Sequence, residues 1–108
     1  MQSDHTPIAQ AKLALSSALL RALTHPLRMQ IVSYLRDRTA ATVQEIADSM
    51  ELDQSITSQH LRILKQVALV SSRREGKYVS YTLARERLRR VTAAVDNFLA
   101  TDGKQALA

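Results

Sequence analysis

At Ala68 the hydrophobic period of this chain changes from about 3.6 to 2, and only a few small folds place helices first and one short ribbon after them. Before the change, four stretches carry apolar residues at helical spacing. Ile8 to Leu23 has Ile8, Ala11, Leu15, Leu19, Ala22 and Leu23 in register and no breaker. Thr24-His25-Pro26 then interrupts, because proline fits the first turn of a new helix and Thr24 or His25 can cap it. That second helix runs to about Arg36 with Leu27, Ile31, Val32 and Leu35 inward. Thr42-Val43-Gln44-Glu45 has the spacing of a capping box and opens a short helix to about Met50, with Ile46, Ala47 and Met50 inward. After a tight Leu52-Asp53 connection, with Asp53 as cap, a fourth helix spans Gln54 to about Ala68.

Beyond it, Leu69 to Arg74 and Lys77 to Leu83 are β-prone runs hinged at Glu75-Gly76, with Val79, Tyr81 and Leu83 on one face. A fifth helix follows from about Ala84 to Ala100, with Leu88, Val91, Val95, Phe98 and Leu99 in register, and Thr101-Asp102-Gly103 ends it. The expected fold is mainly α with a small β-hairpin: a winged helix-turn-helix of five helices and a two-stranded wing. With 108 residues the chain is one domain, read as a leader at 1–7, the folded unit at 8–100 and a tail at 101–108. Leu15 and Leu19 on the first helix, and Val91, Val95 and Phe98 on the last, have too few partners in so small a unit and are expected to form a homodimer interface.

The fourth helix carries the strongest functional signal. With Gln54 at zero and about 100° per residue, Ile56, Ile63, Leu64 and Val67 fall on one side, expected to pack. Gln54, Ser55, Ser58, Gln59, Arg62 and Lys65 fall on the other. From Thr39 to Asp53 the chain has Glu45, Asp48, Glu51 and Asp53 and no Lys or Arg, whereas from Gln54 to Gly76 the sole acid is Glu75. Between Gln54 and Arg90, Arg62, Lys65, Arg73, Arg74, Lys77, Arg85, Arg87, Arg89 and Arg90 face only Glu75 and Glu86, a surplus that exceeds the net charge of +5 for the whole chain. A local excess of that kind favours a polyanion.

Gln can bond bidentately to adenine, Arg to guanine, and Ser to several acceptors in the major groove of DNA. The expected DNA-contacting set is therefore Gln54, Ser55, Thr57, Ser58, Gln59, His60, Arg62 and Lys65 on the helix, with Arg73, Arg74, Lys77 and Tyr78 on the wing. The wing cations suit phosphates or a narrow minor groove. Tyr78 is read either as a phosphate donor or as a cover for the ribbon.

Four segments carry a resemblance: Leu23 to Val32, Gln44-Glu45-Ile46-Ala47, Ser58 to Leu64, and Arg73 to Tyr81. Together, in this order and over roughly residues 20 to 83, they resemble the arsenic-repressor (ArsR) family of winged-helix transcriptional regulators. The resemblance implies a cytoplasmic homodimer, joined through its first and last helices, that represses from a promoter palindrome until an inducer arrives. Regulation would come from a small molecule, from a partner protein or from the protein's own abundance.

The chain departs from that family's best-known feature, metal sensing through a Cys-x-Cys beside the recognition helix or through Asp and His on the last helix. It has no cysteine, and its last helix has Asp96 but no histidine. His5, His25 and His60 are dispersed, and His60 reads as a boundary residue satisfied by a backbone or phosphate oxygen rather than as a ligand. Asp4 with His5 could help to ligate a metal across a dimer and is the first pair to suspect. No metal site, cofactor or metal-dependent induction is therefore expected.

No phosphate-binding glycine loop, nucleophile elbow or His-Glu-x-x-His is present, so no enzyme is expected. The start lacks the regions of a signal peptide, and polar residues interrupt the run from Ile8 to Leu23, so neither secretion nor a membrane span is expected. Two other readings remain: a winged helix turned protein-interaction module, and an architectural DNA-binding protein of low sequence preference.

Overall fold

The computed structural model describes residues 17–97 and 100. Helix α1 occupies 17–23 of that range. It is followed by α2 (Pro26–Arg36), β1 (Ala41–Thr42), α3 (Val43–Met50), α4 (Gln54–Gln66), β2 (Val70–Glu75), β3 (Tyr78–Leu83) and α5 (Arg85–Asn97). Three helices lie against one end of an antiparallel sheet, ordered β1-β3-β2. The wing is the two-stranded hairpin expected, and the sheet adds a short third strand, which the sequence reading lacked. Two residues are too few to print a period, and Ala41 and Thr42 pair with Tyr81 and Ser80 only because α3 begins immediately beside β3.

The starts of α2 and α3 have a chemical cause. His25 caps α2 by accepting the Leu27 N–H at its Nδ1, 3.1 Å away, with Pro26 in the first turn. Thr42 and Glu45 form the expected capping box, Glu45 N–H to Thr42 Oγ1 at 3.2 Å and Thr42 N–H to Glu45 Oε1 at 2.8 Å. Asp53 is the residue before α4, but its side chain makes no capping bond.

Helices α3 and α4 end alike. Leu52 N–H bonds Ala47 O at 3.0 Å and Glu51 N–H bonds Asp48 O at 3.2 Å; Leu69 N–H bonds Leu64 O at 2.9 Å and Ala68 N–H bonds Lys65 O at 2.9 Å. Both are Schellman endings, and the residue that must turn left-handed is not glycine in either: Glu51 has φ 53° and Ala68 has φ 61°. The first ending makes the tight turn of the helix-turn-helix, and the second launches the wing. At the wing tip Glu75 pairs with Tyr78 across Gly76-Lys77, and Gly76 alone of the two central residues has a positive φ, 67°, as a type II′ turn demands.

The core joins Ile31, Val32 and Leu35 of α2, Ile46 of α3, Leu61 and Leu64 of α4, Leu69, and Val70 and Leu83 of the sheet, with Leu19 and Ala22 of α1. Each fully buried aliphatic side chain is worth about 1.5–3 kcal/mol. No residue of α5 is fully buried; Leu88 and Val91 lean on the core from outside. No helix among the described residues is long and apolar enough to cross a membrane.

Because an L-residue in the left-handed region costs roughly 1 kcal/mol, Ala68→Gly is expected to stabilise the fold by about 0.5–1 kcal/mol, and a β-branched residue there to destabilise it by more. Urea unfolding midpoints of the wild type, Ala68→Gly and Ala68→Val measure this order.

Candidate nucleic-acid interface

Helix α4 packs on a different face from the one its isoleucines suggest. The buried residues are Thr57, Leu61 and Leu64, at i, i+4 and i+7. Ile56 and Ile63 are 38% and 36% exposed. At about 100° per residue the packed face is rotated by roughly a quarter turn from the expected one. The cause is Thr57, which has no exposed surface and whose hydroxyl donates to Asp53 O at 3.0 Å; with that bond made, its methyl packs like a valine. Thr57 accordingly leaves the set of DNA-contacting candidates.

The rotation turns Gln54, Ser55, Gln59 and Arg62 outward, with Lys65 beside them and Ser58 half-buried at the edge. Lys65 Nζ donates to Ser72 Oγ at 2.6 Å, which ties the last turn of α4 to β2 of the wing. Arg73, Arg74, Lys77 and Tyr78 are all exposed along the hairpin, Tyr78 by 61%. Arg73 lies 3.7 Å from Glu75, a solvated pair of small energetic weight. Among the described residues the side chains of Arg62, Arg74 and Lys77 have no hydrogen-bond or ion-pair partner within the chain.

The other four cations of the basic stretch belong to the fold. Arg85 donates to three carbonyls at the end of α2, Arg36 O at 2.6 Å, Arg38 O at 2.9 Å and Leu35 O at 3.4 Å. Arg87 Nε donates to Val67 O at 2.9 Å and so closes the end of α4. Cations there satisfy orphan carbonyls and complement the helix dipole. Arg89 and Arg90 pair with Glu86 along exposed α5, and Arg89 first, then Arg90, holds the Glu86 carboxyl below the usual carboxylate range. Arg85 and Arg87 are thus engaged by helix-end carbonyls, whereas Arg89 and Arg90 stay exposed on α5 beside the cations of α4 and the wing.

His60 sits at the inner edge of α4, where the α1–α2 corner meets it. Within the chain its partner is not a backbone oxygen but Arg28, whose Nη1 lies 3.3 Å from His60 Nδ1. Arg28 also donates to Ala22 O at 2.7 Å, and the His25 ring lies 4.6 Å from that of His60. Because both imidazoles accept at Nδ1, the network assigns both the Nε2–H tautomer. Arg28 is the positioning residue that sequence reasoning missed; a lone arginine near a proline carries no spacing signal. Among the described residues no group of three or more His, Cys, Asp or Glu side chains could hold a metal ion. Asp4 and His5 lie outside the described residues.

Of the expected interface residues, Leu19 is only 4% exposed and packs in its own core, so it has no surface left for a partner. Val91 and Val95 are half-buried on α5, while Leu15 and Phe98 lie outside the described residues. The apolar surface left open near α5 is a groove of about 290 Å³ lined by Leu23, Met29, Val32 and Leu88. Met29 is 55% exposed, and Leu20 on α1 is 41% exposed.

A buried helix-turn-helix carrying a cation-tipped ribbon defines the winged helix-turn-helix class. Within it, residues 25–72 match the arsR family of bacterial regulatory proteins. The HTH-type transcriptional regulator YgaV of Escherichia coli is 30% identical over 88 residues, 82% of this chain and 89% of that protein, and the chain belongs to this family. The HTH-type transcriptional repressor SmtB of Mycobacterium tuberculosis is 44% identical over 66 residues, 61% of this chain. The chain spans about half of that repressor, 48% of its length. A homodimeric winged helix-turn-helix DNA-binding domain of Mycobacterium bovis superposes with a TM-score of 0.75 at 27% identity, covering 97% of this chain and 95% of that one. These relatives are regulators of transcription and not enzymes.

Desolvation in the corner, followed by the nearby His25 and the Arg28 guanidinium, lowers the His60 pKa below its ordinary value of about 6.5. The unfolded chain therefore takes up the proton first, and stability should fall as pH drops below about 6.5. Chemical unfolding at pH 7 and pH 5 should show a smaller acid loss for His60→Gln, which keeps an acceptor for Arg28, than for the wild type.

Proposed function

We propose that this protein is a homodimeric transcriptional regulator, a repressor in the manner of SmtB, that binds an inverted-repeat operator in the cytoplasm. Helix α4 enters the major groove and the wing lies on phosphate and minor groove. The observation that carries the reading is the outward face of α4, where Gln54, Ser55, Gln59 and Arg62 stand exposed without an acid among them and run on to Arg74 and Lys77. The bond from Lys65 to Ser72 supports it further, since it sets the spacing between the reading helix and the anchoring ribbon. An acidic protein partner would not need donors on a helix and cations on a hairpin at groove spacing.

Specific binding to a selected inverted repeat is expected, with half-sites about one helical turn, roughly 34–36 Å, apart and affinity falling steeply with salt. Arg62→Ala or Gln59→Ala should cost on the order of 1–3 kcal/mol and relax preference at one position. Arg73→Ala with Arg74→Ala should weaken all sequences alike and flatten the salt slope by about one to two. Titrations of selected and random duplexes at several salt concentrations separate these outcomes. Equal affinity for both duplexes at about 150 mM salt would instead describe an architectural protein.

Dimerisation is assigned to the exposed apolar groove beside α5, with Leu20 and Met29 taking the place of Leu19 beside Val91 and Val95 of the expected interface. A two-fold interface counts each of these residues twice. Val95→Asp should therefore give monomers in sedimentation that retain the fold and lose the palindrome, whereas a chain that is monomeric and still binds the palindrome tightly would refute the assignment.

A further inference from the structure

Ile56 is the third residue of α4 and is 38% exposed, beside Ser55 and one turn before Gln59. Positions i and i+3 are neighbours on a helix surface, so Ile56 and Gln59 present an aliphatic group and a bidentate amide to the same stretch of partner. Ile63, 36% exposed, continues the strip two turns further on. An aliphatic side chain left open among hydrogen-bond donors, at the helix end that leads into the groove, needs an apolar partner within a polar, anionic one. The major groove offers one such group, the 5-methyl of thymine, and it lies next to the adenine edge that a glutamine amide can pair with.

We propose that Ile56 is a specificity-determining residue that meets the 5-methyl group of a thymine in each operator half-site, in or beside the A·T pair whose adenine Gln59 reads. The inference rests on the major-groove placement of α4. Ile56 closes over the methyl group while the Gln59 amide bonds adenine N6 and N7, so the pair of side chains rejects both cytosine, which lacks the methyl, and guanine, which mismatches the amide. The selected half-site accordingly contains a thymine that cannot be exchanged for deoxyuridine without loss.

The test replaces each thymine of the selected operator, one position per half-site at a time, by deoxyuridine, which removes the methyl and leaves base pairing intact. For the wild type one position is expected to weaken binding about fourfold per half-site, the worth of one buried methyl group, while the others change little. Ile56→Ala should bind thymine and deoxyuridine operators equally, and Ile63→Ala should keep the discrimination. Matching thermal unfolding of the three proteins confirms that the fold is intact. Specific binding with no methyl-sensitive thymine, or discrimination that survives in Ile56→Ala, overturns the proposal while leaving the regulator reading in place. Absence of any preferred sequence would overturn that reading itself.

Discussion

Everything this protein offers to a partner depends on the seating of one helix stripe, Thr57, Leu61 and Leu64, against the α2 and α3 side chains Ile31, Leu35 and Ile46. A helix has one rotation at which its buried face fits, and the outward residues follow from it. Here the stripe is completed by a threonine whose hydroxyl is satisfied inside its own helix. Were Ile56 and Ile63 inside instead, Gln59 would lie beside the packed face and the outward face would centre on Ser58 and Lys65.

The arginines divide by the groups that hold them. Arg85 and Arg87 saturate carbonyls at the ends of α2 and α4, which locks α5 across both helices and fixes where the wing starts. Arg28 does the same at the other end, bonding the last carbonyls of α1 while reaching His60. Within the basic stretch of residues 54–90, the cations whose side chains have no partner among the described residues are Arg62, Arg74 and Lys77. Net charge alone would have spread the basic surface over α5 as well. Hydrogen bonds to helix-end carbonyls take Arg85 and Arg87 out of that surface.

The order of elements was legible in the sequence because it is written in strong local signals: the Pro26 start, the Thr42–Glu45 box, the Gly76 turn and the change of period after Ala68. The candidate surface was legible in its residue types but not in its rotation. An apolar count favours isoleucine over threonine, and only the tertiary core decides which of two overlapping stripes is buried. Strand β1 and the Arg28–His60 contact were not legible for a related reason, since both are made between segments whose proximity depends on the finished fold. Leu19 has helical spacing that fits an interface and a core equally well, and burial assigns it to the core.

The face of α4 opposite Thr57 and Leu61, together with the wing, is the surface proposed to read DNA. Nuclear magnetic resonance titration of isotope-labelled protein with its selected duplex tests it most directly. The side-chain amides of Gln54 and Gln59, the Ile56 methyls and the backbone amides of Arg74 and Lys77 should shift, while the Nε–H signals of Arg85 and Arg87 stay in place. Shifts concentrated on α2 and α5, with the Gln54 and Gln59 amides unmoved at saturation, would contradict it.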